Sequence, residues 1–191
     1  MHFTSSILST LAVASVVNSY AVDPDLRDGL YYIPLTPGST HEVASYGEPH
    51  RLDVYESLNS RGPLNGLSER HVIGKVPFPT DTHICYNSVE LQPEYEGATK
   101  ILNDWCDSGK TIPRHIRWNA GLILSRYGSS MAWVCSLGGR QGCAPNEIEN
   151  TWSQISDKCN GTLSGGEVCA SGWKKCYGHS TVKGEICGNT T

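Results

Sequence analysis

The sequence predicts an α+β protein: a disulfide-stapled two-layer α/β sandwich in which two helices cover one face of an antiparallel sheet. Three observations carry that expectation. Cys85, Cys106, Cys135, Cys143, Cys159, Cys169, Cys176 and Cys187 crowd the second half of a 191-residue chain whose first 84 residues hold no cysteine. An even, clustered set of this kind reads as a bridged framework in an oxidising compartment. Two stretches carry apolar residues at helical spacing, and the runs around them alternate as strands do. Their order is strand, helix, two strands, helix, strand, the split βαβ order.

Residues 1–21 read as an export signal. Ile7 to Val17 is mostly apolar but too short to span a bilayer, and small residues suited to cleavage follow, after Ser19 or Ala21. No Lys or Arg precedes the apolar run, only His2 and the terminal amine. No later stretch reaches transmembrane length, so a released extracellular protein without stable membrane insertion is expected.

Residues 22–84 form a cysteine-free segment rich in Pro, Gly, Ser and Tyr. Leu30-Tyr31-Tyr32-Ile33-Pro34-Leu35 reads as an edge strand, because Pro34 lacks the N–H that a central strand requires. Pro37-Gly38, Gly47-Glu48-Pro49 and Arg61-Gly62-Pro63 mark turns. No pair of adjacent basic residues invites processing, so the segment is expected to be retained.

The core spans residues 85–191. Asp81 to Tyr86 leads into it as a strand. A helix starts near Pro93, where the missing N–H costs nothing. Its apolar side is Tyr95, Ala98, Ile101, Leu102, Trp105 and Cys106, with Glu96 and Lys100 as an i,i+4 pair and Gly109 as the stop. Leu122-Ile123-Leu124 and Met131-Ala132-Trp133-Val134-Cys135 read as strands joined by a turn at Tyr127-Gly128-Ser129-Ser130. Pro145 opens a second helix, with Glu147 and Glu149 near its positive end and Ile148, Trp152, Ile155 and Cys159 along one side. Asn160-Gly161 closes it, and Val168 to Cys187 supplies one or two further strands. Cys106 and Cys159 end the helices, so bridges from them would tie helix to sheet at about 2–4 kcal/mol each. Pairing stays open, since eight cysteines allow roughly 105 connectivities.

Charge excludes some partners. The formal net charge is −4, with nine acids and five bases in residues 22–84 and ten of each in 85–191. A neutral core does not call for nucleic acid. Lys110, Arg114, Arg117, Arg126 and Arg140 fall in a stretch, 108–146, without Asp or Glu, which reads as a solvated face. Asn160-Gly161-Thr162 and Asn189-Thr190-Thr191 are glycosylation sequons.

No catalytic signature stands beside the framework. The cysteine spacings lack the close pairs of zinc modules, so no metal and no cofactor are expected, and His179 near Cys176 reads as a surface residue. There is no G-x-S-x-G elbow. Paired cysteines leave no thiolate nucleophile. Glu94 with Glu96, and Glu147 with Glu149, are i,i+2 pairs that diverge around a helix. Arg114-His115-Ile116-Arg117-Trp118 holds the parts a small ribonuclease needs, with Glu147 or Glu90 as carboxylate. Alternation along a strand, however, splits His115 and Arg117 from Arg114 and Trp118. Trp105, Trp133 and Trp152 fall at core positions. Trp118 and Trp173, with Arg114 and Arg117, form the candidate binding rim.

Several of these motifs resemble cysteine-rich secreted proteins of filamentous fungi. They are Tyr31-Tyr32-Ile33-Pro34-Leu35, Leu102-x-x-Trp105-Cys106-x-x-Gly109, Ala132-Trp133-Val134-Cys135, Cys143-x-x-x-Glu147, Cys159-x-Gly161, and Gly172-Trp173 followed by Tyr177-Gly178. The element order is similar to the virally encoded killer toxin of smut fungi and its necrosis-inducing extracellular effector relatives. Against that group's simpler pattern Cys169 and Cys176 are an added pair, which implies a stapled C-terminal loop. The resemblance implies an extracellular protein that acts on a host or competitor, and it supplies no catalytic residues.

The expected function is therefore that of a secreted effector, virulence-type, which binds an extracellular host protein such as a defence protease and inhibits it. A small secreted hydrolase of ribonuclease type is the alternative from a different class. A killer-toxin-like or wall-carbohydrate-binding protein is a third. Oligomeric state is left open.

Overall fold

The structure is a computed structural model and describes residues 20–37, 43–52, 73–112, 120–138, 141–181 and 185–187. Ile7 to Val17, Arg61-Gly62-Pro63, Arg114, His115, Arg117, Trp118, Arg140 and Asn189 lie outside the described residues. The elements follow in the order β1 (Tyr20–Ala21), β2 (Gly29–Pro37), β3 (Val43–Tyr46), β4 (His50–Arg51), β5 (Thr82–Val89), α1 (Gln92–Asp107), β6 (Gly121–Tyr127), β7 (Ser130–Ser136), α2 (Pro145–Lys158), β8 (Ser164–Ala170), β9 (Lys175–Thr181) and β10 (Glu185–Ile186). A single 3-10 turn, Ser171–Trp173, joins β8 to β9.

The main sheet runs β3-β2-β6-β7-β9-β8-β5, with β4 pairing to β2 beside β3, and every pairing is antiparallel. It follows that β7 and β8 point the same way with β9 between them, so β7-α2-β8 is a split βαβ unit. β5 and β6, joined by α1, also point the same way, but β8, β9 and β7 separate them. Both helices start at Pro in a first-turn position, where no N–H is owed, and each carries a glutamate in that turn.

Both helices lie on one face of the sheet. Ala98, Leu102, Trp105, Ile148, Trp152 and Ile155 pack there against Leu30, Ile123, Ala132, Val134, Val168 and Tyr177. The helices cover this face, and the opposite face is not left to solvent either. Tyr31, Ile33, Leu35, Leu122, Leu124, Met131 and Trp133 form a second buried cluster, with Val22, Ile186 and Cys187 among its members. β1 and β10 pair with each other as a two-stranded ribbon that brings residues from the two ends of the chain to this face. A run apolar at successive residues, as in Leu122-Ile123-Leu124, is what a strand covered on both faces requires.

The Leu30–Leu35 stretch is a strand, but not the edge strand expected from Pro34. β2 is an inner strand, with β6 on one side and β3 and β4 on the other. The Pro34 carbonyl accepts from Gly47 N at 2.8 Å, so its ring nitrogen points the same way, into the break between β3 and β4. No ladder bond is lost there, and proline is tolerated.

All eight cysteines are bridged: Cys85–Cys159, Cys106–Cys143, Cys135–Cys187 and Cys169–Cys176. Cys85–Cys159 ties the end of α2 to β5, as a helix-end cysteine suggests. Cys106 instead meets Cys143, in the loop just before α2, so this bridge joins helix end to helix start. Cys169 and Cys176 face each other across neighbouring strands β8 and β9.

Candidate functional site

Charged side chains on the helix-covered face are buried in two groups. Glu147 points inward from the first turn of α2. Its Oε2 accepts from Lys175 Nζ at 2.5 Å and from the Tyr177 hydroxyl at 2.6 Å, and its Oε1 accepts from Lys75 N at 3.2 Å. Burial pulls the Lys175 ammonium below the usual lysine range, opposed by the Glu147 charge. Burial, with the Glu147 charge behind it, pushes the Tyr177 phenol well up. Residues 73–80 cover this group as a strap. Asn146 bonds both the N–H and the carbonyl of Gly74, and Asn150 accepts from Phe78 N at 2.8 Å. Phe78 is buried edge-on to Tyr177 and Trp173.

The second group is Glu90 and His179. His179 Nδ1 lies 2.5 Å from Glu90 Oε2, and both side chains are essentially fully buried. The imidazole is held between the edges of Tyr95 and Trp152, each with its ring centre 5.0 Å away. Burial first, and then the Glu90 charge, raise the Tyr95 phenol to about 12. A His–carboxylate pair is the core of much acid–base chemistry. Here α1 and α2 seal it, and no substrate proton lies within reach of a group buried in this way. Glu90 and Glu147, the carboxylates that a ribonuclease reading would recruit, are therefore already committed inside the protein. His179 is not the surface residue expected from the sequence, because β9 has neighbours on both sides and helices above it.

Among the described residues a single acid is buried on the opposite face. Trp133 in β7, Gly178 in β9 and Glu167 in β8 stand in one row across the sheet. The Trp133 ring lies over Gly178, where an added Cβ would fall 2.5 Å from Cε2. That lets Nε1 reach Glu167 Oε2 at 2.7 Å, and Cys187 N donates to the same oxygen at 2.9 Å. Burial raises the carboxyl to about 8 despite those two donors. Its Oε1 sits 3.5 Å from Cys169 Sγ. A bridged sulfur has no hydrogen to give, so the protonated acid is the form that suits this contact. Glu167, Cys169 and Cys176 cluster as three potential ligand atoms. The two sulfurs are bonded to each other and hold no metal.

The exposed candidate is the β8–β9 connection, Ser171–Lys174. Cys169–Cys176 closes its base. Asp81 accepts from Ser171 N at 2.9 Å and Ser171 Oγ at 3.0 Å. Gln141 donates to the Trp173 carbonyl, and Leu137 N to the Lys174 carbonyl at 2.8 Å. The loop is thus fixed from four directions. Trp173 is half-buried against Phe78, with Lys75 Nζ 5.4 Å from its ring centre. Lys75 and Lys174 are exposed.

Of the expected rim, the structure places Trp173 at a surface and leaves Arg114, Arg117 and Trp118 outside the described residues. Trp105, Trp133 and Trp152 are core residues, as their periodic positions indicate. Arg126, from the basic stretch, is half-exposed and acts as a surface clamp: it donates to the carbonyls of Asp23, Pro24 and Gly128. The buried Lys175 and Glu167 escaped the sequence reading. No protein-family model, curated protein or solved structure matches the chain.

Proposed function

We propose that this is a secreted effector-type protein that acts by binding an extracellular host protein and does not turn over a substrate. The observation that carries the reading is the β8–β9 loop, where a half-buried indole lies beneath the exposed Lys75, with exposed Lys174 next in sequence, on a loop fixed by a disulfide and by side-chain bonds. Tryptophan and cations at the rim of a rigid surface are what interface anchors are made of. A loop already held in place loses little entropy on binding. Four disulfides fit an oxidising site of action. Among the described residues no helix is long and apolar enough to cross a membrane. Inhibition of a secreted defence protease is the specific form to test first, since a preorganised loop limits the entropy lost on docking.

The experiment is affinity capture from host extracellular fluid with the oxidised protein, beside a reduced and alkylated control and Trp173→Ala. The expected result is one secreted host protein, retained by the wild type and lost from both controls. Binding to the purified partner should weaken at least tenfold in Trp173→Ala with folding intact, which corresponds to about 1.4 kcal/mol. Binding indifferent to Trp173, or hydrolysis of RNA by the protein alone, would overturn the reading.

A further inference from the structure

We propose that Asn160 is an occupied N-glycosylation site and that its glycan screens the open edge of the sheet. This rests on the secreted reading above, because the modification belongs to the export route. Asn160-Gly161-Thr162 forms the turn that leaves α2. Asn160 and Thr162 are both exposed, and among the described residues nothing bonds the Asn160 side chain. Its φ of 65° is a left-handed conformation that asparagine tolerates better than most residues. The acceptor amide therefore faces solvent, and the exposed Thr162 hydroxyl shares one 3.3 Å hydrogen bond with the Ser156 hydroxyl.

The neighbourhood supplies the second observation. β5 pairs with β8 and has no described strand on its other side. Its eight residues, Thr-His-Ile-Cys-Tyr-Asn-Ser-Val, contain no Lys, Arg, Asp, Glu or Pro. These are the residues with which natural edge strands discourage pairing with another chain. The strand also ends in exposed apolar surface, with Val89 at 76% and Leu91 at 62% exposure. The sequon turn abuts that end. Val89 pairs with Ser164, and Glu90 N donates to the Leu163 carbonyl at 2.9 Å. Cys159, the residue before Asn160, is bridged to Cys85 within β5 at a Cα separation of 5.3 Å. A bulky hydrophilic oligosaccharide rooted at this corner occupies the space through which a second strand would approach. The edge lacks charged guards because the sugar does their work.

In the transfer, the Asn160 amide nitrogen bonds to the anomeric carbon of a lipid-diphosphate oligosaccharide. The bond from that carbon to phosphate breaks, the lipid diphosphate leaves with its electron pair, and the amide gives up one proton.

The test uses the full chain secreted by a eukaryotic host, with peptide mapping before and after a peptide N-glycosidase, which converts each glycosylated Asn to Asp. Conversion at Asn160 is expected, and it is resolved from Asn189 by the peptide map. Thr162→Ser should retain the glycan and Thr162→Ala should lose it. The glycan-free protein should elute as larger species in size exclusion, and Val89→Lys in the Thr162→Ala background should return it to the wild-type position. Secreted protein unmodified at Asn160 would overturn the site, and a Thr162→Ala protein that elutes as the wild type would overturn the screening role. A chain that never enters the secretory route sinks the export reading and this inference with it.

Discussion

The two faces of the sheet bury charge in opposite ways. Beneath the helices every described acid in the core has a partner: Glu147 with Lys175 and Tyr177, and Glu90 with His179. On the other face Glu167 has no cation partner among the described residues, and burial holds it protonated up to about pH 8. Each face also keeps two disulfides, with Cys106–Cys143 and Cys85–Cys159 on the helix side and Cys135–Cys187 and Cys169–Cys176 opposite. The difference follows from the covers. Helices bring side chains of their own, so α2 delivers Glu147 onto Lys175. A narrow ribbon and the chain ends bring backbone and small apolar groups, so an acid there must shed its charge.

The sharpest break of this contrast is Glu147→Ala. It strands the Lys175 ammonium under the strap and should cost about 3–5 kcal/mol in denaturant unfolding. A loss below 1 kcal/mol would mean that the pair is not ionised, and the faces would then be alike. Next in size is removal of one bridge from the ribbon-covered face. The double replacement Cys135→Ala with Cys187→Ala should lower stability by about 2–4 kcal/mol. An unchanged thermal midpoint would show that the ribbon adheres without its covalent tie.

Glu167 gives the contrast a pH signature. Its carboxyl rises from an ordinary 4.5 to about 8 in the folded protein. Between those values the native state holds a proton that the unfolded chain releases. Stability from this group therefore falls as pH rises, by up to about 1.4 kcal/mol per unit, and levels off above 8. Unfolding free energies at pH 5, 6, 7 and 8 test this, with Glu167→Gln expected to flatten the slope. A slope that survives that substitution would move the responsible group elsewhere. Smallest is Trp133→Phe, which removes one donor to Glu167 and a little volume and should cost about 1–2 kcal/mol in the same assay.

The helices were legible because proline at the first turn and apolar residues three and four apart act within one element. Expected and observed bounds differ by a residue or two. β6 and β7 were legible for the same reason. Pro34 misled because an edge is a property of neighbours: what spares β2 is the break between β3 and β4, which no local pattern announces. The row Trp133, Gly178, Glu167 joins residues from three strands, and only the sheet register reveals it. His179 looked like a surface residue, and Lys175 drew no reading at all, because polarity hides burial unless the strand is known to be covered. The half-exposed position of Trp173 was legible through its lack of period. The rest of the expected rim lies outside the described residues.

The bridge pattern decides how the chain answers a single cut. Cys85–Cys159 and Cys135–Cys187 overlap, so one of them spans every peptide bond from 85 to 187. A protease that nicks the chain once anywhere in that interval leaves both pieces covalently joined. The nick becomes visible only after reduction. Ahead of Cys85 no such safeguard exists, and β2, an inner strand of the sheet, belongs to that part. A cut between β2 and Cys85 leaves β2 attached by hydrogen bonds and packing alone. In protease-rich fluid, the lasting species after such a cut is the bridged module with β2 still seated, or with the flank of β6 laid bare.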